Sequence, residues 1–328
     1  MSGPVDVEHF DEFHGLPVFT VPHHRIRSLK PLPEPDAVAW RLDCGWEEVW
    51  TFPGLWQHFT DAVDTERVRA LVIGPWWDGD YSEFAPVLDM IVADAARFPG
   101  LRALFLADVT SEECEVSWLR MSDITAAIEA FPLLEELGVR GCGYTYDDGG
   151  LRLRPVNQER LRVLRFESGG LPGSVVRAVG ASELPALERL ELWLGVEEYG
   201  GNATVADLAP VLDGGRFPRL RHLGLQNSEI QDEIATAVAS APVVAGLESL
   251  ALSMGVLTDA GAEALLTGQP LTHLKELDLR HHYVSEPRAG RIAETLVPHG
   301  VRLELEPAED YSDEGDDEDE WRYVAVSE

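Results

Sequence analysis

The sequence predicts an α/β chain built as a repeat solenoid, with a parallel inner sheet and helices on the outside. Three observations carry this prediction. A six-residue phrase with aliphatic residues at its first, fourth and sixth positions recurs along the chain. Its clear copies begin at residues 68, 101, 134, 161, 187, 220, 247 and 274, spaced by 33, 33, 27, 26, 33, 27 and 27 residues. Between copies lie segments whose apolar residues recur at helical spacing.

The copies run in order from Val68-Arg-Ala-Leu71-Val-Ile73 and Leu101-Arg-Ala-Leu104-Phe-Leu106 to Leu274-Lys-Glu-Leu277-Asp-Leu279. The fourth and sixth residues alternate as on a short strand and point to one face, while the first fills the corner before it. No single copy can bury that face alone, so stacking is required to form a continuous core. Ala37-Val-Ala-Trp40-Arg-Leu42 reads as a degenerate first strand, and Leu303-Glu-Leu305 as a weak last one. Helices are predicted over 52–63, 84–98, 122–131, 204–212, 230–238 and 258–267, the last opening on a Thr cap. Residues 37–305 therefore form about nine to ten repeats. Residues 1–36, with Phe10, Phe13 and Phe19, are expected to cap the first end of the core. Nine of the twelve residues in 309–320 are acidic, so 306–320 is expected to be disordered by self-repulsion. The strand-like 321–328, Trp-Arg-Tyr-Val-Ala-Val-Ser-Glu, is expected to return and pair beside the last repeat.

The phrase resembles the LxxLxL core of leucine-rich repeats. A period of about 27 residues with a full helix per repeat resembles the ribonuclease-inhibitor-like class. That resemblance implies a horseshoe with strands inside and helices outside. The ninth position, commonly Asn or Cys in leucine-rich repeats, holds Trp76, Val109, Cys142, Gly169, Gly195, Ser228, Gly255 and His282 here. Only Cys142 matches, so irregular turns are expected after the strands. The Phe13-His-Gly-Leu-Pro-Val18 start and Arg322-Tyr-Val-Ala-Val-Ser327 end resemble those of an uncharacterised bacterial leucine-rich repeat family, which implies no activity.

In such a stack the inner face shows small or apolar residues at first, Ala70, Val72, Ala103 and Phe105, and then mixed polar ones, among them Arg140, Arg165, Trp193 and Arg280. The long copies add their extra residues after the strand, placing loops on one rim at the strands' C-terminal ends. Those loops carry Trp76, Trp77, Asp78, Asp80 and Tyr81, then Trp118, then Tyr144, Tyr146, Asp147 and Asp148, then Glu197, Glu198 and Tyr199. Aromatic rings beside carboxylates suit a basic protein partner, through cation–π contacts and electrostatic steering. The competing reading has Trp77 and Trp118 packing the loops against one another. Asp78, Asp80, Asp147 and Asp148 are also the candidate ligands should these loops take Ca²⁺.

Composition narrows the function. The chain has 328 residues, 26 Lys+Arg against 58 Asp+Glu and a formal charge of −32, which disfavours nucleic acid and anionic membranes. Cys44, Cys114 and Cys142 lie far apart, without disulfide or zinc spacing. The N-terminus is acidic and broken by Pro4 and Pro17, unlike a signal peptide, so a cytoplasmic location is expected. Nucleotide-binding, metalloprotease and serine-hydrolase motifs are all missing. His281-His282 reads as a solvent-exposed pair and Cys142 as a buried side chain. The expectation is a non-enzymatic protein-binding scaffold with no cofactor and no bound metal, docking through the inner face and the rim. The alternatives are an inhibitor or immunity-like protein that masks a basic enzyme, and an accessory subunit of a neighbouring enzyme.

Overall fold

The computed structural model describes residues 7–22, 31–45, 51–77, 82–143, 150–309 and 322–327. Twelve strands form one open sheet in sequence order. They are β1 (Glu12–Phe13), β2 (Leu16–Thr20), β3 (Ala39–Leu42), β4 (Ala70–Ile73), β5 (Ala103–Leu106), β6 (Glu136–Arg140), β7 (Val163–Glu167), β8 (Arg189–Gly195), β9 (His222–Ser228), β10 (Ser249–Ala251), β11 (Glu276–Asp278) and β12 (Arg302–Glu304). Every neighbouring pair is parallel except the short β1–β2 hairpin.

The register is that of the repeated phrase. Fourth positions pair from strand to strand, Trp40 with Leu71, Leu71 with Leu104, Leu104 with Leu137 and so on to Leu277 with Leu303. The degenerate first copy and the weak last one thus share the same ladder. Fourth and sixth residues face a layer of helices: α1 (Phe52–Ala62), α2 (Ala85–Ala93), α3 (Thr125–Ala130), α4 (Gly173–Ala181), α5 (Val205–Leu212), α6 (Gln231–Val238), α7 (Asp259–Thr267) and α8 (Glu286–Leu296). A single core runs the length of the molecule between the two layers. At its first end the packing turns aromatic, with Trp40 against Phe59 and Phe19, each at 5.5 Å between ring centroids.

Local chemistry sets the helix ends. Asp207 in α5 accepts from both the N–H and the hydroxyl of Thr204 at 2.9 Å, closing that N-terminus. Thr258 caps α7 by accepting from Ala260 N–H at 3.2 Å. Two helices are shorter than the apolar spacing predicts. Asp123 accepts from Thr125 N–H at 3.0 Å and so starts α3 late, while the stretch after α2 tightens into a 3-10 turn at Ala95–Arg97. Helices α4 and α8 were not among those read from the sequence.

The turns after the strands follow a rule that the ninth-position residues concealed. The eighth residue is left-handed in three successive copies, Asn227, Met254 and His281, with φ of 55°, 69° and 55°. Polar ninth residues then bond the turning backbone, as Asn or Cys would. Ser228 accepts from Ile230 N–H at 3.2 Å, and His282 Nδ1 accepts from Val284 N–H at 3.0 Å. Cys142 is buried and donates to Ser117 O at 3.0 Å. His282 is therefore buried, not one of an exposed pair, and burial holds both it and His281 below the usual imidazole range.

Truncating the middle of the leucine ladder is expected to be costly. Leu190 is fully buried, so Leu190→Ala should lower unfolding free energy by roughly 2–5 kcal/mol. Urea denaturation measures this; a loss below about 0.5 kcal/mol, the usual size of a surface effect, would contradict the packing described.

Candidate functional site

The helices cover one face of the sheet. On the other face, Ala39, Ala70, Val72, Ala103 and Phe105 are apolar and need a cover of their own. The chain supplies it. Residues 7–22 cross this face while β2 adds itself to the sheet edge, and Phe10 and Phe13 seat on Phe105 with ring centroids at 4.6 and 6.0 Å. Gly138, beside Phe105, leaves room for that ring; a Cβ there would lie 2.3 Å from it. Burying an aromatic ring of this kind contributes about 1.5–3 kcal/mol, so the segment docks firmly.

Where the face turns polar, its charges satisfy one another. Arg41 reaches Asp108 at 2.5 Å, and Arg140 sits between Asp108 at 3.6 Å and Glu167 at 2.7 Å. Arg165 links Glu167 at 3.3 Å to Glu191 at 2.9 Å, and His222 closes on Glu191 at 3.2 Å. This chain of alternating charge runs from β3 to β9, with Asp108, Arg140 and Glu167 almost wholly buried. Burial opposes ionisation of Glu191, but His222, Arg165 and Arg189 outweigh it and hold the carboxyl at about 2. Because each buried charge already has partners, the ladder is a structural girder rather than an open ligand site.

His9 ties the N-terminal segment to this girder. Its Nδ1 lies 3.5 Å from Asp108 and its Nε2 3.1 Å from Glu113. Burial favours the neutral ring, yet the hydrogen bonds to Asp108 and Glu113 prevail and raise the pKa to about 9. Glu113 is half-buried too, which disfavours its charge; hydrogen bonds from His9 and from Thr110 N–H hold its carboxyl below the usual range.

The C-terminal residues 322–327 do not pair beside β12. They run crosswise over the C-terminal ends of the strands, from the β11 copy back towards β7. Tyr323 O accepts from Tyr283 Oη at 3.1 Å and lies 2.9 Å from His281 Nε2. Ala325 N–H donates to Met254 O at 2.8 Å. Asn227, fully buried, grips Val326 twice: its Oδ1 accepts from Val326 N–H at 2.9 Å and its Nδ2 donates to Val326 O at 2.5 Å. Val326 and Met254 meet Val7 and Val116 in a small cluster, with Trp193 against it, so the two terminal segments touch.

The predicted site residues divide accordingly. Trp76 and Trp77 are each only 4% exposed and lie edge-on to each other at 5.0 Å; Trp76 also packs on Phe84 at 4.8 Å and donates to Ser82 O at 2.9 Å. They belong to the core, because two indoles in one loop gain more by burial against α2 than by exposure. Asp78, Asp80, Tyr81, Tyr144, Tyr146, Asp147 and Asp148 lie outside the described residues. Trp118 stands 55% exposed on the 3-10 turn Val116–Trp118, next to the terminal cluster. Glu197 and Glu198 are exposed and Tyr199 half-buried on a second 3-10 turn after β8. Arg140 and Arg165 serve the girder, Trp193 supports the C-terminal segment, and Arg280 is exposed but paired with Asp278 at 2.8 Å. Asn227, Met254 and Tyr283 were missed, although the alternate valines of 321–328 pointed to something that must receive them. Among the described residues no group of three or more His, Cys, Asp or Glu is arranged to hold a metal ion, and no helix is long and apolar enough to cross a membrane.

No protein-family model matches the chain, and no curated protein matches it. Among solved structures it is similar to a Bacteroides fragilis protein determined as a target of the Northeast Structural Genomics Consortium. The two share 28% sequence identity and a TM-score of 0.69, over 83% of this chain and 72% of that one.

The His9 contacts predict a pH dependence. A folded pKa above the free value of 6.5 means that the stabilisation His9 gives is fully present below pH 6.5 and is lost as pH rises through about 9. An NMR titration should place the His9 midpoint near 9; a midpoint at or below 6.5 would show that the ring is not held between Asp108 and Glu113.

Proposed function

We propose that this chain is a leucine-rich repeat horseshoe of the ribonuclease-inhibitor-like class. It works in the cytoplasm as a non-enzymatic protein-binding scaffold, docking its partner along the rim at the strands' C-terminal ends. The seating of residues 322–327 supports this reading most strongly: a polypeptide segment already lies on that rim, recognised through its backbone by Asn227 and Met254. Backbone recognition of an extended chain, with alternate side chains entering pockets, is a recurrent way of binding peptides. The covered inner face favours the rim over the sheet itself, since Phe10, Phe13 and the charge ladder occupy much of that face.

The partner that suits this rim is basic. The chain carries a formal charge of −32, and Glu197, Glu198 and the exposed Trp118 flank the occupied groove. Carboxylates speed the approach of a cationic surface, and an exposed indole supplies apolar area and a cation–π platform once contact is made. The same charge favours, as a second reading, an inhibitor that masks a basic enzyme; an accessory subunit would use the same rim. Phosphate backbones and anionic lipid would be repelled.

Site-specific photo-crosslinking tests the rim. A benzophenone side chain replacing Trp118 should form an adduct with one protein partner in cells, whereas the same group at the exposed Glu294 on α8 should not. Equal yields at the two positions, or no adduct at Trp118, would remove the rim as the docking surface.

A further inference from the structure

The C-terminal segment resembles a bound ligand more than a structural element. Residues 322–327 contribute no strand to the sheet, and their described contacts to the rim are those a captured peptide would make. Asn227 spends both ends of its amide on one residue 99 positions away, Val326. That carboxamide is fully buried, and its further partner is Ser168 O at 3.2 Å. Its left-handed backbone, φ 55°, is the conformation that Met254 and His281 share in the next two copies. Met254 O then receives Ala325 N–H, and the His281 and Tyr283 side chains both meet Tyr323 O. The far end lies directly on Gly169, where a Cβ would sit 2.2 Å from Ser327 O, so the floor of the groove is kept bare of side chain. Val324 and Val326 are buried at alternate positions, and Ala325 between them donates its N–H to the rim. The recognised pattern is thus an aromatic residue followed by aliphatic, small and aliphatic residues, with the chain bending at Ala325.

The segment joins the body through residues 309–320, of which nine are acidic. The segment is thus covalently joined to the body through a strongly acidic stretch. A tethered occupant competes at the high effective concentration that its short linker sets, and so a free peptide of equal intrinsic affinity binds weakly until the tether is beaten or the segment released.

We propose that the groove formed by Asn227, Met254, His281, Tyr283 and Gly169 is a peptide-recognition site for an aromatic–aliphatic–small–aliphatic segment of a partner protein, and that residues 322–327 are its built-in competitor. This rests on the rim being the docking surface, and it adds the class of sequence recognised and the means by which access is controlled.

The test uses the full chain and a fluorescein-labelled peptide, Arg-Tyr-Val-Ala-Val-Ser, followed by fluorescence anisotropy. Val326→Asp, which expels the chain's own segment, should bind the peptide about tenfold or more tighter than the wild type. Adding Asn227→Ala to Val326→Asp should abolish that gain. Equal binding by wild type and Val326→Asp, binding by neither, or a gain that survives Asn227→Ala would each overturn the proposal. Should Val326→Asp fail to fold, wild-type protein decides. Excess unlabelled peptide should move the amide resonances of Ala325 and Val326 to free-chain positions, and unmoved resonances would overturn the proposal. A wild-type dimer that forms with rising concentration and resists the peptide would show tail exchange between copies, and would overturn it as well. A Trp118 adduct without peptide binding refutes this proposal and leaves the rim as docking surface; loss of both refutes the rim itself.

Discussion

A parallel sheet has two faces, and each must be buried or made polar. Here the helix layer covers one face along its whole length, and everything else about the molecule follows from how the other face and its rim are closed. At β3–β5 the exposed face would be Ala39, Ala70, Val72, Ala103 and Phe105, an apolar strip that water would penalise. Residues 7–22 close it with Phe10 and Phe13. From β6 onward the face carries charges, and the Arg140–Glu167–Arg165–Glu191 ladder satisfies them internally. At the strands' C-terminal ends the turning backbone is finished by residues 322–327. Residues 7–22 and 322–327 are thus both spent on closing the sheet, and they meet where Val7 and Val326 pack with Met254.

The buried ladder carries a cost that its ion pairs offset only in part, because both carboxylate oxygens of Asp108, Arg41 Nε and Arg165 Nε are buried without a hydrogen bond. Removing charges from water is unfavourable, and a buried pair gains only when every partner is in place. Alternation of sign along neighbouring strands gives each charge a partner on one or both sides, so the cost is shared along the row. His9 joins the row from the N-terminal segment, which couples the docking of that segment to the state of the sheet beneath it.

The repeat was legible because burial imposes its period directly. Leucine at the fourth position of each clear copy dictated the register, and the same position located even the disguised first and last strands, through Trp40 and Leu303. The closing of the second face was only half legible. Three Phe residues near the N-terminus pointed to a cap over the first end of the core, whereas Phe10 and Phe13 lie on the other face of the sheet, against Ala70, Ala103 and Phe105. Long aromatic loops suggested a surface site, yet Trp76 and Trp77 are core, since sequence spacing gives a loop's position and not the direction its rings take. The turns were obscured by substitution: Ser228 and His282 do the work of Asn with different atoms. Asn227 stayed hidden because its role depends on a residue 99 positions away.

The central claim, that the chain's own end occupies the rim groove, is tested most directly by amide hydrogen exchange of the unmodified protein. Ala325 and Val326 donate to Met254 O and Asn227 Oδ1. Their amides should exchange at least about tenfold more slowly than free-peptide rates. Exchange of Ala325 and Val326 at free-peptide rates would contradict the account, because it would leave the groove open and the C-terminal residues unengaged.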